Sequence, residues 1–253
     1  MKLRSHLVAL VGLVVVAAGT VVPAQSLGGF FGRREALEFP KVPYDGRFTF
    51  ARLRYPSGFQ RNPPWFHDYP TADIHLSRIL QEITAIEARV DGSNVLSLED
   101  PDLMKYPIAY MSEPGYWTLD EEQASAFRAY LLKGGFVIFD DFRGPDLYNL
   151  ESQLRRVLPD LRLVELEPGH PVFHSFFEID SPEEFIPPYG GMQPKFLGVF
   201  EDNDPQKRLL LVANYNNDLG EYWEFSDTGY APVDLSNEAY KFGTNYIVYG
   251  MTH

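Results

Sequence analysis

Two adjacent carboxylates, Asp140-Asp141, follow directly on the apolar run Phe136-Val137-Ile138-Phe139. Carboxylates set that deep must meet an N–H donor, a cation or a proton to be tolerated. The pair suits ligation of a hard cation or general acid–base work. It equally suits a helix cap with its neighbour paired to Arg54 or Arg143. Imidazoles come from two stretches. In His170-Pro171-Val172-Phe173-His174-Ser175-Phe176-Phe177 two histidines stand among three rings, and His170 is expected as a general base near Asp140, the alternative being a Phe-anchored loop whose histidines bond backbone carbonyls. His67-Asp68 and Asp73-x-His75, around a loop that also holds Trp65 and Phe66, have metal-site composition. Asp73 and His75 are two apart, however, and face different sides of a helix, so no metal ligand set is assigned; capping and surface histidine account for these residues as well. Glu201-Asp202-Asn203-Asp204 lacks calcium-loop spacing and reads as a solvated turn.

The elements that position these groups follow from periodicity. Phe48 to Tyr55 alternates as a strand and ends at Pro56-Ser57-Gly58. Ala72, Leu76, Ile79, Leu80, Ile83 and Ile86 recur at helical spacing, with Thr71 or Asp73 as cap. Strands are predicted at Val95–Leu98 and Pro107–Met111, then a helix from a Thr118/Glu121 capping box through Leu131, stopped by Gly134-Gly135. The run 136–139 reads as a strand buried on both faces. Further on, the pattern predicts a helix at 147–157, strands at 161–166, 196–200 and 209–214, a short helix at 236–242 and a strand at 246–249, with a packed insertion at 168–194. Alternating strands and helices imply an α/β domain with a mostly parallel sheet, helices on both faces, and an irregular C-terminal extension. In such sheets ligands sit beyond the carboxyl ends of the strands. Arg54, Tyr55 and Glu113 stand there with Asp140 and Asp141, and with Trp65 and His174 they make the expected ligand-binding set. Tyr215, Tyr222, Trp223, Phe225, Tyr230, Tyr240, Tyr246 and Tyr249 crowd the C-terminal part, suited to stacking on sugars, to an interface, or to core packing.

Acidic residues outnumber basic ones 35 to 22, a formal charge of −13. That surface repels nucleic acid and anionic lipid and favours cations, neutral glycans or a basic protein partner. No cysteine is present, which removes disulfides, lipid attachment at Cys and thiol nucleophiles. Lys2, Arg4 and His6, the apolar run Leu7 to Val22 and then Val22-Pro23-Ala24 form a secretory signal pattern, with cleavage expected after Ala24. The run is shorter than the roughly 20 residues of a membrane span. The expected organisation is a signal at 1–24, an exposed leader at 25–46 and one α/β domain at 47–253, exported to the periplasm or the cell exterior, with no transmembrane span once the signal is removed. Nucleotide-binding glycine loops, H-E-x-x-H and G-x-S-x-G are absent from the sequence.

Phe48 to Tyr55, Trp65 with Asp68-Tyr69-Pro70, Tyr130-Leu131-Leu132-Lys133-Gly134-Gly135-Phe136 running into Asp140-Asp141, and His170-Pro171-Val172-Phe173 together resemble a bacterial domain-of-unknown-function family, number 4159, across about Phe48 to His253. That family is similar in fold to class I glutamine amidotransferase and ThuA-like domains, which implies a flavodoxin-like sheet. In those relatives the strand after the Gly-Gly stop leads into a nucleophile elbow. Here Asp140-Asp141 fills that position and no Cys exists, so amidotransferase chemistry is not carried over. The expectation is an exported bacterial domain that binds a polar, glycan-like ligand or a cell-envelope protein partner at the strand ends. A carboxylate–histidine hydrolase, with or without a metal, is the alternative. No cofactor is implied, although the carboxylates are compatible with a divalent cation.

Overall fold

The computed structural model describes residues 39, 41–57 and 62–253. The signal at 1–24, most of the 25–46 leader and the end of the Pro56-Ser57-Gly58 turn lie outside the described residues.

Seven strands form one sheet: β1 (Ala51–Leu53), β2 (Asn94–Leu96), β3 (Ile108–Ser112), β4 (Phe136–Phe142), β5 (Leu163–Glu165), β6 (Lys195–Phe200) and β7 (Leu209–Tyr215). Their order is β2-β1-β3-β4-β7-β6-β5. The first five in that order are mutually parallel, whereas β6 runs antiparallel to both neighbours. The parallel part has the strand order of flavodoxin-like sheets, so the expected α/β class and sheet hold.

Alternation along each strand assigns its side chains to two cores. Phe136, Ile138, Tyr110 and Val212 face α1 (Thr71–Ile83), α4 (Leu219–Glu224) and α5 (Val233–Thr252), where Leu76, Trp223 and Tyr246 meet them. Val137, Phe139 and Met111 face the other way, onto Phe127 and Leu131 of α2 (Glu121–Leu132) and Leu150 and Leu154 of α3 (Asp146–Val157). Helices thus cover both faces, as a parallel sheet requires. Gly134, at φ +115, turns the chain from α2 into β4 in a conformation that L side chains rarely adopt.

Three local expectations are corrected. α2 is capped by Asp120, with Gln123 closing the box, not by Thr118 with Glu121. Asp is the better cap, and Glu121 is drawn off to Arg156 at 2.5 Å. α1 starts after Pro70 with no side-chain cap, because Asp73 turns inward. The predicted helix at 236–242 and strand at 246–249 are one continuous helix, α5, so the C-terminal extension ends in regular structure. Ala239, Phe242, Tyr246 and Tyr249 fall on one helical face and are buried together, which overrides the strand preference of Tyr246-Ile247-Val248-Tyr249. Tyr222, Trp223, Tyr240, Tyr246 and Tyr249 of the aromatic block are therefore core residues, while Tyr230 is exposed. Among the described residues no helix is long and apolar enough to cross a membrane.

Candidate functional site

The carboxyl ends of β1, β3, β4 and β7 meet at one edge of the sheet, held by a buried ion pair. Arg52 lies in the centre of β1, on the face that Phe50 shares with α1, and α1 offers Asp73 opposite it. Both side chains are fully buried, with Arg52 Nη2 2.5 Å from Asp73 Oδ1. Ser93 Oγ donates to the other Asp73 oxygen at 2.8 Å. The guanidinium uses its remaining donor, Nη1, on the carbonyls of Trp65 (3.1 Å) and His67 (2.9 Å), and stacks over Tyr110 at 4.8 Å. The pair thereby fixes the loop that carries His67 and Asp68.

Asp140 is the second fixed point. Continuing the 136, 138, 140 alternation, it points under the edge, fully buried. Its Oδ2 accepts from the Tyr110 hydroxyl and from the Leu219 and Gly220 backbone N–H groups, and its Oδ1 accepts from Asn214 Nδ2, each at 2.9 Å. Tyr246 of α5 donates in turn to Asn214 Oδ1 at 2.8 Å. Burial pushes the Asp140 pKa up to about 6 against the pull of these donors.

Asp141 goes elsewhere because the ladder breaks. Phe139 pairs with Ala213 and Phe142 with Tyr215, so two residues of β4 face one of β7. The extra residue is a bulge, and Asp141 takes φ +54 in it. Its carboxylate turns to the edge, where Oδ1 accepts from the Tyr189 hydroxyl and Oδ2 lies 2.8 Å from His67 Nδ1. Glu113 Oε1 is 3.5 Å and Asp68 Oδ1 3.9 Å from the same nitrogen. Asp218, which caps α4 by accepting from Glu221 N at 2.9 Å, completes the group. One ligand atom from each of His67, Asp68, Asp141 and Asp218 lies within 4.8 Å of all the others.

The backbone is tuned to this convergence. Asp68, Glu113, Asp141 and Asn216 all have positive φ, a conformation that Asp and Asn tolerate and Glu disfavours, of the kind that gathers at functional sites. Gly220 matters here for its lack of a side chain: a Cβ there would collide with Asp68 Oδ2 and stand 2.8 Å from the Tyr110 hydroxyl. The edge opens into a cleft of about 440 Å³ lined by Phe66, His67, Asp68, Tyr69, Glu113, Tyr116 and Glu224 among others.

Titration at the edge is displaced in one direction. The bond from Asp141 pushes His67 up to about 9. Burial, then the Asp141 charge, pushes Glu113 up to about 7. Burial holds Asp68 and Asp218 well above the usual carboxylate range. A carboxyl whose folded pKa is raised costs stability once pH exceeds its unfolded value, and the cost grows until the folded pKa is passed. A histidine whose pKa is raised adds stability below about 6.5 that disappears as pH rises through about 9. Both signs agree. In buffer containing a chelator, the urea midpoint should fall steadily from pH 5 to pH 9, and Glu113→Gln should flatten the part between about 4.5 and 7. A midpoint that rises over that range would contradict these protonation states.

The sequence-selected residues divide. Asp140, Asp141 and Glu113 meet at the edge. Tyr55 is beneath it, its hydroxyl donating to the carbonyls of Ser112 (3.1 Å) and Glu113 (2.5 Å). Arg54 points into a separate cleft with Trp65 and Glu99, and buried Trp65 serves the edge through its carbonyl. His170 and His174 do not reach Asp140, which corrects that expectation. The His170 ring packs on Phe200 and Tyr249, and Tyr249 accepts from Leu209 N at the first residue of β7. The carboxyl edge is five residues further on, roughly 16 Å at strand spacing. Its segment is anchored there by Phe173 against Phe242 and by Asn245 Nδ2 on the Phe173 carbonyl. His174 bonds Glu178 and the Pro168 carbonyl. Of the His67-to-His75 set, His67 and Asp68 join the edge, Asp73 serves Arg52, and His75 bonds the Trp223 carbonyl at 2.8 Å. Asp218, Asn214 and Tyr189 were not singled out by sequence, although Asn214-Tyr215-Asn216-Asn217-Asp218 ends an apolar run as Asp140-Asp141 does.

Fold and edge together define a flavodoxin-like α/β domain with a histidine–carboxylate group at the carboxyl ends of its parallel strands. The chain belongs to the family described as Domain of unknown function (DUF4159), which it matches over residues 49–251. No curated protein matches the sequence.

Proposed function

We propose that this chain is an exported domain that binds a polar, glycan-like ligand in the cleft above the strand ends. The observation that carries the reading is the lining of that 440 Å³ space, in which the rings of Phe66, Tyr69 and Tyr116 stand beside His67, Asp68, Glu113 and Glu224. Apolar ring faces next to hydrogen-bond acceptors match the alternating faces and hydroxyls of a sugar, and the acidic surface favours a neutral ligand over an anionic one. Calorimetric titration with neutral cell-wall glycan fragments tests it. Tyr116→Ala and Glu113→Gln are each expected to weaken binding about 10-fold or more, the loss of roughly 1.4 kcal/mol. Binding that is equal in wild type and both variants, or absent from wild type, overturns it.

A second reading, hydrolysis, is favoured by one feature: His67 is oriented by Asp141 at 2.8 Å, with Glu113, at about pKa 7, next to it. A carboxyl that titrates near neutrality, able to take a proton from water, beside an imidazolium able to give one is the equipment of general acid–base chemistry. Turnover of a bound glycan, abolished in His67→Gln with binding retained, would select this reading.

A further inference from the structure

We propose that His67, Asp68, Asp141 and Asp218 form a binding site for one first-row divalent transition-metal ion, Mn²⁺ or Zn²⁺ in class. The four residues come from three separate segments: the loop after β1, the bulge at the end of β4 and the cap of α4 after β7. Their ligand atoms converge to within 4.8 Å of one another. Ligands about 2.1 Å from a shared ion stand roughly 3 Å apart when adjacent and about 4.2 Å when opposite. The His67–Asp141 separation of 2.8 Å fits the first, and with every separation inside 4.8 Å small side-chain torsions suffice to bring all four atoms onto one ion.

Convergence of acids alone would mean little. What points to a ligand is Asp68. It is 4% exposed, and both its carboxylate oxygens are buried with no hydrogen-bond partner among the described residues. Every other buried carboxylate of this face has donors: Asp140 has four, and Asp73 has Arg52 and Ser93. A buried carboxylate without donors is costly unless a cation or a proton meets it. The nearby guanidiniums are committed elsewhere, Arg52 to Asp73 and Arg143 over the Tyr189 ring at 4.3 Å.

The surrounding contacts resemble the outer partners that orient metal ligands. Tyr189 holds one oxygen of Asp141 and leaves the other for the centre. Glu221 N holds one oxygen of Asp218. Arg52 fixes the loop backbone at the His67 carbonyl. Three carboxylates with one imidazole give a hard-to-borderline donor set of high negative charge, which suits Mn²⁺ or Zn²⁺ and, through the nitrogen, disfavours Ca²⁺ and Mg²⁺. The His67 side chain is half exposed on the cleft side, so an ion here keeps positions open to water or to a ligand. This inference does not rest on the glycan reading, and its test contains no glycan.

The full chain, stripped with a chelator and dialysed, is titrated with MnCl₂ and with ZnCl₂ by calorimetry. One ion per chain is expected, with Kd in the micromolar range or tighter and a rise in thermal midpoint on binding. Asp68→Asn and Asp141→Asn should each weaken binding at least 100-fold, while Glu178→Gln, in the separate exposed group His174, Glu178 and Asp180, should leave it unchanged. Mn²⁺ bound to wild type should show imidazole-nitrogen coupling in pulsed electron paramagnetic resonance. That signal should be absent from His67→Gln, whose side chain is half exposed and whose folding is little burdened by the change. Absence of binding to wild type, unchanged affinity in Asp68→Asn, or nitrogen coupling that survives in His67→Gln each overturns the proposal. An Asp68→Asn chain that is more stable than wild type while wild type binds neither metal would identify a proton as the occupant instead.

Discussion

Arg52→Met should lower the unfolding free energy by about 3–5 kcal/mol, the cost of breaking a buried ion pair from one side. The methionine fills most of the space of the arginine stem, so the loss is electrostatic: Asp73 remains fully buried with only Ser93 as donor, and the Trp65 and His67 carbonyls lose theirs. Asp73→Leu alone strands the guanidinium and should cost a similar amount. Changing both should cost less than the sum, because two well-packed apolar side chains remove the uncompensated charge. The two carbonyls still lack a donor in the double variant, so the loop bearing His67 and Asp68 should loosen even where global stability returns. Urea unfolding of the four proteins, with exchange of the amides around 65–69, separates these effects. A single variant within about 1 kcal/mol of wild type would show that the pair is a surface-like contact.

This pair also marks where the sequence is hard to read. The sheet was legible because β3, β4, β6 and β7 are apolar runs bounded by breakers, and α1 to α3 carry a clear period of about 3.6. The edge itself was legible from Asp140-Asp141 and Glu113, since polar groups that follow apolar strands have few places to go. Arg52 was obscured by Arg54, which sits two positions later with the same alternation. Only the length of β1 decides that one is clamped under the helix while the other reaches solvent, and strand ends are set by pairing partners distant in sequence. Asp73 looked like a cap because helix starts attract Asp, and only the register of α1 against β1 turns it inward. His170 and His174 sit among aromatic residues that decide their position, since Phe173 is drawn into the α5 side of the core and carries the imidazoles away from the edge. His67 and Asp68 were visible as a pair, but their true companions, Asp141 and Asp218, lie more than seventy residues away, beyond the reach of local spacing. The bulge that redirects Asp141 arises from a mismatch between β4 and β7, a property of two strands together.

Asp140 allows the sharpest separation of framework from chemistry. Asp140→Leu should cost about 3–5 kcal/mol, because it strands the Tyr110 hydroxyl, the Asn214 amide and two backbone N–H groups at the start of α4, all of them buried. Asp140→Asn should cost far less. Its oxygen can keep Tyr110, Leu219 and Gly220, while its amide faces Asn214. Rotating the Asn214 amide then presents an oxygen to the new donor and a nitrogen to the Tyr246 hydroxyl, which accepts as readily as it donates. Every group remains paired, and one negative charge leaves the interior. With its pKa raised from 3.8 to about 6, Asp140 costs the folded state stability that builds between those two values and is full above about pH 6, so Asp140→Asn should regain most at neutral to alkaline pH and lose most towards pH 4, where the native carboxyl is protonated. Measured unfolding curves for both variants at pH 5 and pH 8 test this. Ligand or metal binding at the edge should survive Asp140→Asn within a few-fold, since none of the four converging ligands changes. An Asp140→Asn chain that is fully folded yet has lost that binding would mean that Asp140 meets the ligand directly and is more than the hub that joins β3, β4, β7 and α4.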